Sequence, residues 1–275
     1  MSKSLALAAL LGIMAVALIT GRASAVTRIK CASTTSTQNS GLLDYLLPKF
    51  EKASGIKVDV VAVGTGAALK LGERGDADVV LVHAKNQELQ AVEAGYFVNR
   101  HDVMYNDFVI IGPTNDPLKI KGMKSAVEAF KKTAAGGGPF VSRGDKSGTN
   151  TKELAIWKAA QIDPKGKKWY LEVGQGMAKT QRIANEKRAY TLTDRGTWLA
   201  CKDKDKLEMA LILSGDPILF NQYGVMAVNP AKHKQVKYQE AMLFINWLIS
   251  PEGQKAIGSF KDQRGNILFV PNAAK

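Results

Sequence analysis

Residues 141–151 read VSRGDKSGTNT, and three consecutive glycines lie shortly before them. An apolar segment that includes Leu154 and Trp157 follows with helical spacing, which predicts a helix. The first N–H groups of a helix have no internal partners, and the helix dipole adds partial positive charge at that end. Arg143 adds a planar guanidinium that can bind two oxygens at once. The segment therefore predicts a helix start that binds an anion.

An ordinary capping motif is the alternative explanation of the same residues. Asn150 would be the helix N-cap, Glu153 would occupy the third helical position, and Arg143 would be a solvated surface charge. This stretch alone leaves both explanations open. The anion-binding interpretation gains weight because the chain repeats the arrangement elsewhere.

Three further turns have the same order of strand, small polar residues and helix start. They follow the predicted strands Arg28–Ala32, Lys57–Val63 and Trp169–Val173, and they read STTSTQNSG (33–41), GTG (64–66) and GQGM (174–177). A helix cap needs one hydroxyl, whereas residues 33–40 hold six hydroxyl side chains. Neutral donors grouped around one cation indicate a receptor for a small oxyanion.

The order of predicted elements indicates an α/β fold. Strands and helices alternate from the first predicted strand to Pro113, and the pattern restarts after that proline. Such alternation predicts a parallel sheet with helices on both faces, and ligands bind beyond the carboxyl ends of its strands. The first two of the repeated turns fall at such ends. Later strands are predicted at Asn106–Gly112 and Gln222–Val228, and an amphipathic helix at Gln235–Ile249.

The first 25 residues have the features of a secretory signal peptide. Lys3 precedes an apolar stretch, Leu5–Ile19, and Ala23-Ser24-Ala25 forms an A-x-A cleavage site. The apolar stretch is too short for a comfortable membrane span. We therefore expect export, cleavage before Val26 and release of a soluble protein.

The formal net charge of the whole chain is +13, and removal of Lys3 and Arg22 leaves +11 for the mature chain. An excess of lysine can indicate nucleic acid, an anionic surface or an anionic ligand. The lysines are scattered and have no aromatic residues interleaved among them, so we expect no nucleic-acid partner. Roughly 250 mature residues suit two modest domains or one large domain.

Residues that suit catalysis or transition-metal binding are sparse. His83 follows a predicted strand and could serve a serine nucleophile, so a secreted serine hydrolase is a remote alternative, although no nucleophile-elbow sequence occurs. Cys31 and Cys201 form neither a disulfide framework nor a metal motif, and we expect two buried thiols. We therefore expect a binding protein without enzymatic activity, cofactor or metal cation.

The chain resembles the tungstate-binding proteins of bacterial ABC importers over nearly its whole mature length. The segments that carry the resemblance are ASTTSTQNSGLLDYLLPKFEKASGIKVDVVAVGTGAALKLGERGDADVVLVHA, YNDFVIIGP, SRGDKSGT, GQGM and YTLTDRGTWLA. The resemblance implies a type II periplasmic binding protein fold, in which two α/β lobes joined by two crossings clamp a tetrahedral oxyanion. The implied lobes are residues 26–112 with 226–275 (lobe I) and residues 113–225 (lobe II). The implied crossings fall near Gly112 and near Gly224–Val228.

The resemblance also implies which residues hold the oxyanion. The hydroxyl motif of the family, usually three threonines and a serine, reads Ser33-Thr34-Thr35-Ser36 here. Arg143 matches the arginine of the family and would supply the one full positive charge. The complete implied set takes turns from both lobes: Thr34, Thr35, Ser36, Thr65, Gly66, Arg143, Ser147, Gly148, Thr149, Val173, Gly176 and Met177.

A receptor for phosphate or another oxyanion is the main alternative. Residues 143–149 also resemble phosphate-binding receptors, in which a carboxylate accepts the proton that phosphate retains near neutral pH. Tungstate carries no such proton, so Asp145 should point away from a tungstate ligand. Tungstate and molybdate are tetrahedral dianions of nearly equal size, and the sequence leaves the choice between them open. The implied setting is a monomer in the periplasm that delivers its ion to an ABC transporter permease in the inner membrane.

Overall fold

The computed structural model describes residues 26–201, 203–262 and 264–273, so the predicted signal peptide lies outside the described residues. The described strands are β1 Arg28–Thr34, β2 Lys57–Val63, β3 Val79–Val82, β4 Phe97–Pro113, β5 Phe140–Ser142, β6 Tyr170–Glu172, β7 Thr191–Asp194, β8 Met209–Leu213, β9 Phe220–Val228 and β10 Val270–Pro271. The described α-helices are α1 Thr35–Asn39, α2 Leu42–Ser54, α3 Thr65–Glu73, α4 Lys85–Glu93, α5 Ala126–Ala135, α6 Gly148–Ala159, α7 Met177–Glu186, α8 Arg195–Leu199, α9 Tyr238–Ile249 and α10 Pro251–Ser259. Within the described ranges, no helix has the length and apolar character that a membrane crossing requires.

Six strands form the sheet of one half of the molecule, in the order β2-β1-β3-β9-β4-β10. β1 pairs in parallel with β2 and with β3, as the alternation of strands and helices predicts. β9 and β10 run antiparallel to their neighbours, which the prediction of a parallel sheet did not include. The reason is that β9 returns from the other half of the molecule and enters the sheet from the opposite end.

β4 connects the two halves of the molecule. Its first part pairs with β9 as far as Asp107, which lies opposite Phe220. From Phe108 onward it pairs with β7 and β8 instead. The two connections therefore run side by side at this point. The exchange lies at Asp107 on β4 and Phe220 on β9, earlier in each strand than the predicted lobe limits at Gly112 and Met226. The reason is that the apolar residues from Phe108 onward pair with strands of the second half.

The observed β4 is much longer than the predicted strand Asn106–Gly112. It begins at Phe97 and passes through the polar segment Asn99–Asp102, where its register against β9 shifts. Asn99 has a positive φ of 51°, which interrupts the regular extended backbone. The alternating apolar pattern that identifies a strand is therefore lost in this part of the sequence.

Each half carries buried side chains on both faces of its strands. In the second half, Phe108 and Ile110 face one cluster with Trp157, while Val109 and Ile111 face a separate cluster. Two further clusters lie in the first half, on either side of β1 and β3. Successive strand residues point to opposite faces, so a strand buried on both sides must be apolar at every position. In both halves, the turns at the strand ends are therefore anchored to strands that are packed on both faces.

Candidate anion-binding site

The Arg143 turn, residues 143–147, lies between the end of β5 and the start of α6. The Ser147 side chain accepts a hydrogen bond from the Asn150 N–H at 3.2 Å, which makes Ser147 the N-cap of α6. The alternative assignment of Asn150 as the cap is wrong because the helix starts earlier. The Asn150 amide oxygen instead accepts the Lys146 N–H at 3.1 Å, inside the turn.

Arg143 is buried in this turn, with 2% of its surface exposed. Its Nη2 atom donates to Asp145 Oδ2 at 2.6 Å and lies 3.3 Å from Thr35 Oγ1, across the cleft between the lobes. Its Nε atom has no hydrogen-bond partner among the described residues. Arg143 is therefore not the solvated charge of the capping interpretation. A buried guanidinium with an uncommitted N–H suits an oxyanion.

The Asp145 carboxyl is engaged within the same turn. Its Oδ2 atom accepts the Arg143 guanidinium, and its Oδ1 atom accepts the Ser147 N–H at 3.1 Å. A side chain that bonds the backbone two residues onward stabilises a tight turn. The pair also places a negative charge against Arg143, so part of the guanidinium charge is already balanced within the protein.

The α1 turn, residues 34–37, concentrates hydroxyl groups that bond to one another. Thr34 is the N-cap of α1, and its Oγ1 accepts the Thr37 N–H at 3.2 Å and lies 2.7 Å from Thr37 Oγ1. The Ser36 Oγ lies 3.1 Å from Thr34 Oγ1 and 3.0 Å from Nε2 of His83, which follows β3. These three hydroxyls are buried, whereas Thr35 is half-buried and reaches the guanidinium of lobe II.

The turn that starts α3 touches the turn that starts α6. Thr65 Oγ1 accepts the Gly148 N–H at 3.0 Å, and this hydrogen bond joins the two lobes. A side chain at Gly148 would approach Thr65 to 3.1 Å and His83 to 3.2 Å, so glycine permits the contact. Gly66 lies beside the same turn, since a Cβ atom there would stand 3.8 Å from the Lys146 carbonyl oxygen.

The turn that starts α7 contributes fewer free donors. The Val173 N–H donates to the Ser142 carbonyl at 3.1 Å, so this donor is committed within lobe II. Gly176 lies beside α1, because a Cβ atom there would stand 3.8 Å from Thr35 Oγ1. Met177 is fully buried at the first position of α7. The structure thus brings Gly176 and Met177 near the α1 turn but removes the Val173 N–H from the available donors.

Two buried donors of lobe II lack a hydrogen-bond partner in the described part of the chain. They are Arg143 Nε and Thr149 Oγ1, and Thr149 is 1% exposed. Nearly all buried polar groups in proteins are paired, and an unpaired one costs about 1–3 kcal/mol. Both donors belong to the Arg143 turn and the first residues of α6. An anion at this turn would complete the hydrogen bonding.

Comparisons with known proteins identify the family. A model described as a PBP superfamily domain matches residues 20–252. The tungstate-binding protein TupA of Peptoclostridium acidaminophilum is 49% identical over 247 residues, which cover 89% of this chain and 85% of that protein. TupA of Campylobacter jejuni is 44% identical over 230 residues, covering 82% and 84%. The chain belongs to the TupA family.

Solved structures of similar proteins have the same fold. The tungstate ABC transporter structure from Geobacter sulfurreducens is 57% identical and has a TM-score of 0.78, covering 85% of this chain and 98% of its own. The tungstate binding protein TupA from Desulfovibrio alaskensis G20 is 47% identical and has a TM-score of 0.77, covering 90% and 100%. These likenesses confirm the predicted α/β fold class, the type II periplasmic binding protein fold.

The predicted set for this TupA-family site did not include Thr197 and Asp194. Thr197 Oγ1 donates to the Ser36 carbonyl at 3.2 Å, and Asp194 caps α8 by accepting the Thr197 N–H at 2.8 Å. Burial raises the pKa of Asp194, and hydrogen bonds from Thr197 together with the Arg143 charge oppose that rise. The segment YTLTDRGT carries the signal, because it repeats the order of strand, polar turn and helix start.

His83 is a further residue of the site that the predicted set did not include. Its Nδ1 atom lies 3.0 Å from Asn221 Oδ1 on β9, and its ring stacks on Tyr223 with 4.7 Å between centroids. Burial lowers the pKa of His83 to about 4, the Asn221 hydrogen bond raises it, and the Arg143 charge lowers it. The contact between Ser36 and His83 is the one that the hydrolase alternative needs. However, Ser36 is 1% exposed, and the relatives reported above are binding proteins.

Glu153 supports the Arg143 turn from inside lobe II. Its carboxyl accepts hydrogen bonds from Ser142 Oγ, from Trp157 Nε1 at 3.0 Å and from Tyr170 Oη at 2.7 Å. Burial raises the pKa of Glu153 to about 7, although these hydrogen bonds oppose the rise. Ser142 Oγ in turn accepts the Gly144 N–H at 3.2 Å. The charge of Glu153 therefore changes near neutral pH, next to the turn that holds Arg143.

Proposed function

We propose that this protein is a solute-binding receptor that captures tungstate or molybdate and delivers it to an ABC transporter permease. Two of its relatives are tungstate-binding proteins by name, and the Geobacter structure is that of a tungstate ABC transporter. Export by the signal peptide at residues 1–25 would bring the receptor to the periplasm, where it meets the permease at the inner membrane. One chain supplies both sides of the cleft, which favours a monomer.

The unpaired donors of the Arg143 turn carry this proposal. Arg143 Nε and Thr149 Oγ1 are both buried, and neither has a partner within the described residues. They lie where contacts between Thr35 and Arg143, and between Thr65 and Gly148, join the lobes. A small tetrahedral oxyanion offers four acceptor atoms and would satisfy donors from both sides.

The proposed ligand set comes from four turns and retains most of the predicted residues. The proposed lobes follow the predicted ones, residues 26–112 with 226–275 and residues 113–225, with their boundary moved to the exchange of partners at Asp107 and Phe220. Val173 supports its turn without donating its N–H to the ligand. The proposed contacts are Thr34, Thr35, Ser36, Thr65, Gly66, Arg143, Ser147, Gly148, Thr149, Gly176 and Met177.

The engagement of Asp145 favours a fully deprotonated ligand over phosphate. Hydrogen phosphate carries a proton and needs an acceptor in its site. Both Asp145 oxygens already accept hydrogen bonds, from Arg143 and from the Ser147 N–H. Tungstate and molybdate carry no proton at neutral pH, so they need donors alone.

Hydrogen bonds can supply the required affinity without a metal cation. A hydrogen bond to a charged group contributes about 1.5–3 kcal/mol. Six to eight such bonds would contribute about 9–24 kcal/mol, most of which lies above the roughly 12 kcal/mol that nanomolar binding requires. The surplus offsets the free energy of desolvation and of lobe closure.

A panel of oxyanions tests the proposal on protein that begins at Val26. Tungstate and molybdate should raise the melting temperature, with about 2.7 kcal/mol of stabilisation at a ligand concentration 100 times Kd. Sulfate and phosphate should do less, because their shorter bonds to oxygen cannot reach donors spaced for the larger ions. A phosphate response equal to that of tungstate would favour the phosphate receptor. No response to any of the four would contradict the proposal.

A further inference from the structure

A chain of polar side chains leads from the α1 turn to the strands that join the lobes. Ser36 Oγ lies 3.0 Å from His83 Nε2, and His83 Nδ1 lies 3.0 Å from Asn221 Oδ1. Asn221 Nδ2 then donates to Asn106 Oδ1 at 2.7 Å. Asn106 and Asn221 are opposite each other on β4 and β9, directly beside the exchange of partners at Asp107. The chain therefore ties one wall of the cleft to both connections between the lobes.

The direction of these hydrogen bonds is set at the far end of the chain. The Asn106 Nδ2 atom lies near the Asp194 carboxyl without a hydrogen-bond partner in the described residues, and that carboxyl accepts the Thr197 N–H. A carboxyl group attracts the N–H side of an amide rather than its oxygen, so the Asn106 oxygen faces Asn221. Asn221 must then donate to Asn106 with its nitrogen, so its oxygen faces His83.

The same direction fixes the tautomer of His83. An amide oxygen can only accept, so His83 Nδ1 must carry the hydrogen. The nearby titratable groups are Arg143, which lowers the pKa of His83, and the Tyr223 ring, which stacks on it. Burial holds the pKa of His83 at about 4, so the ring is neutral at pH 7. The neutral ring carries one hydrogen, on Nδ1, so Nε2 can only accept a hydrogen bond from the Ser36 hydroxyl.

We propose that His83 is a positioning residue that draws the Ser36 hydroxyl hydrogen onto its own Nε2 atom and so withholds it from the ligand, so that Ser36 meets the ligand through its main-chain N–H. This inference rests on the proposed oxyanion function of the cleft. Ser36 and Thr149 then play different parts, although both carry buried hydroxyls. The Thr149 hydroxyl has no partner in the described part of the chain and is free to donate, whereas the Ser36 hydroxyl is committed to His83.

Nitrogen-15 NMR of the histidine rings tests the proposal on unaltered protein at pH 7. The result expected is a hydrogen on Nδ1 and none on Nε2 of His83, with and without saturating tungstate. Histidine-to-glutamine variants at His101 and His233 assign the remaining signals. A hydrogen on Nε2, in either the neutral or the charged ring, would overturn the proposal, because Nε2 would then donate to Ser36.

Calorimetry in two buffers of different ionisation enthalpy gives an independent readout. Any proton uptake when tungstate binds at pH 7 should be the same in the parent and in the His83→Gln variant, because Glu153, not His83, titrates near that pH. An uptake that disappears in the His83→Gln variant would overturn the proposal. His83→Leu should weaken tungstate binding at least tenfold. His83→Gln keeps an acceptor for Ser36 and should fall between His83→Leu and the parent protein.

The control variant His233→Gln should bind tungstate like the parent, because His233 bonds the Glu73 carbonyl, away from the polar chain. Parent-like binding by His83→Leu would overturn the positioning role. If that variant fails to fold, the NMR result on the unaltered protein decides. A parent protein that binds no oxyanion would contradict the proposed function, while the tautomer of His83 could still be read in the free protein.

Discussion

The Arg143 turn and the α1 turn face each other across the cleft but differ in the state of their donors. The Arg143 turn and the helix that it starts contain two buried donors without a partner in the described residues, Arg143 Nε and Thr149 Oγ1. In the α1 turn, the hydroxyls of Thr34, Ser36 and Thr37 bond to one another and to His83. Similar residue types therefore serve different purposes. The first turn has capacity left for a ligand, and the second uses its hydroxyls to hold its own shape.

Replacement of Arg143 should have the largest effect on this contrast. Arg143→Ala removes the buried charge and leaves Asp145 without its partner, so tungstate binding should weaken by roughly 2–5 kcal/mol. Arg143→Lys keeps the charge without the planar fork and should fall between Ala and the parent protein. Isothermal calorimetry measures both.

Two further variants sharpen the Arg143 test. Lys70 is exposed and pairs with Glu73, so Lys70→Ala should bind like the parent. Asp145→Asn combined with Arg143→Ala should recover part of the loss, because the turn then holds no unpaired carboxylate near the ion. If Arg143→Ala bound tungstate like the parent, the guanidinium would not contact the ligand and the proposed role of Arg143 would be contradicted.

The buried Glu153 should make stability depend on pH. Burial raises its pKa to about 7 in the folded protein, from 4.5 in an unperturbed glutamic acid. A raised pKa means that the folded state binds the proton more tightly, so this contribution is complete below pH 4.5 and is lost as pH rises through 7. The linkage amounts to about 3 kcal/mol. The free energy of unfolding, measured by denaturant titration, should fall more steeply with rising pH in the parent than in Glu153→Gln. The same pH dependence in both proteins would contradict the prediction.

Removal of the Thr149 hydroxyl should weaken binding more than it weakens folding. Thr149→Ala deletes a donor that has no partner in the described structure, so tungstate affinity should fall by about 1.5–3 kcal/mol. The free energy of unfolding without ligand should not fall by a comparable amount, because no internal hydrogen bond is lost and an unpaired buried hydroxyl is removed. Thr149→Ser keeps the hydroxyl and serves as the control. A loss of ligand-free stability equal to the loss of binding would place the hydroxyl in the internal network.

The opposite pattern should follow from a change in the α1 turn. Thr34→Ala removes the N-cap of α1 and should lower the free energy of unfolding by about 0.5–2 kcal/mol without ligand. Thr34→Ser retains the cap and should stay close to the parent. Denaturant titration of the ligand-free proteins measures the difference. Unchanged stability in Thr34→Ala would remove the contrast between the turns.

Local sequence patterns were sufficient to locate most of the elements and the four turns. The strand Lys57–Val63 was predicted with the limits that the structure shows, because a valine-rich run ends there in a glycine turn. The amphipathic pattern predicted at Gln235–Ile249 corresponds to α9, Tyr238–Ile249, which starts slightly later. β8 had no predicted counterpart, because the isolated apolar run MALIL fits a buried strand or a helix segment equally well.

Sequence patterns could not predict which hydrogen-bond donors are paired within the protein and which are left without a partner. The contacts that decide it join residues far apart: 47 positions between Ser36 and His83, 83 between Thr65 and Gly148, and 108 between Thr35 and Arg143. A capping pattern identifies a helix start but does not tell which hydroxyls find partners after folding. For that reason the predicted set included Val173, whose N–H is committed, and left out His83.

Anomalous diffraction at a tungsten absorption edge tests the central claim most directly. Crystals of the protein that begins at Val26, grown with sodium tungstate, should give one strong peak in the cleft. The account predicts that the ion lies between the α1 turn and the Arg143 turn. Its oxygens should be within hydrogen-bond distance of Arg143 Nε and Thr149 Oγ1. A well-occupied peak at another place in the molecule, with Arg143 Nε and Thr149 Oγ1 still unpaired, would contradict it.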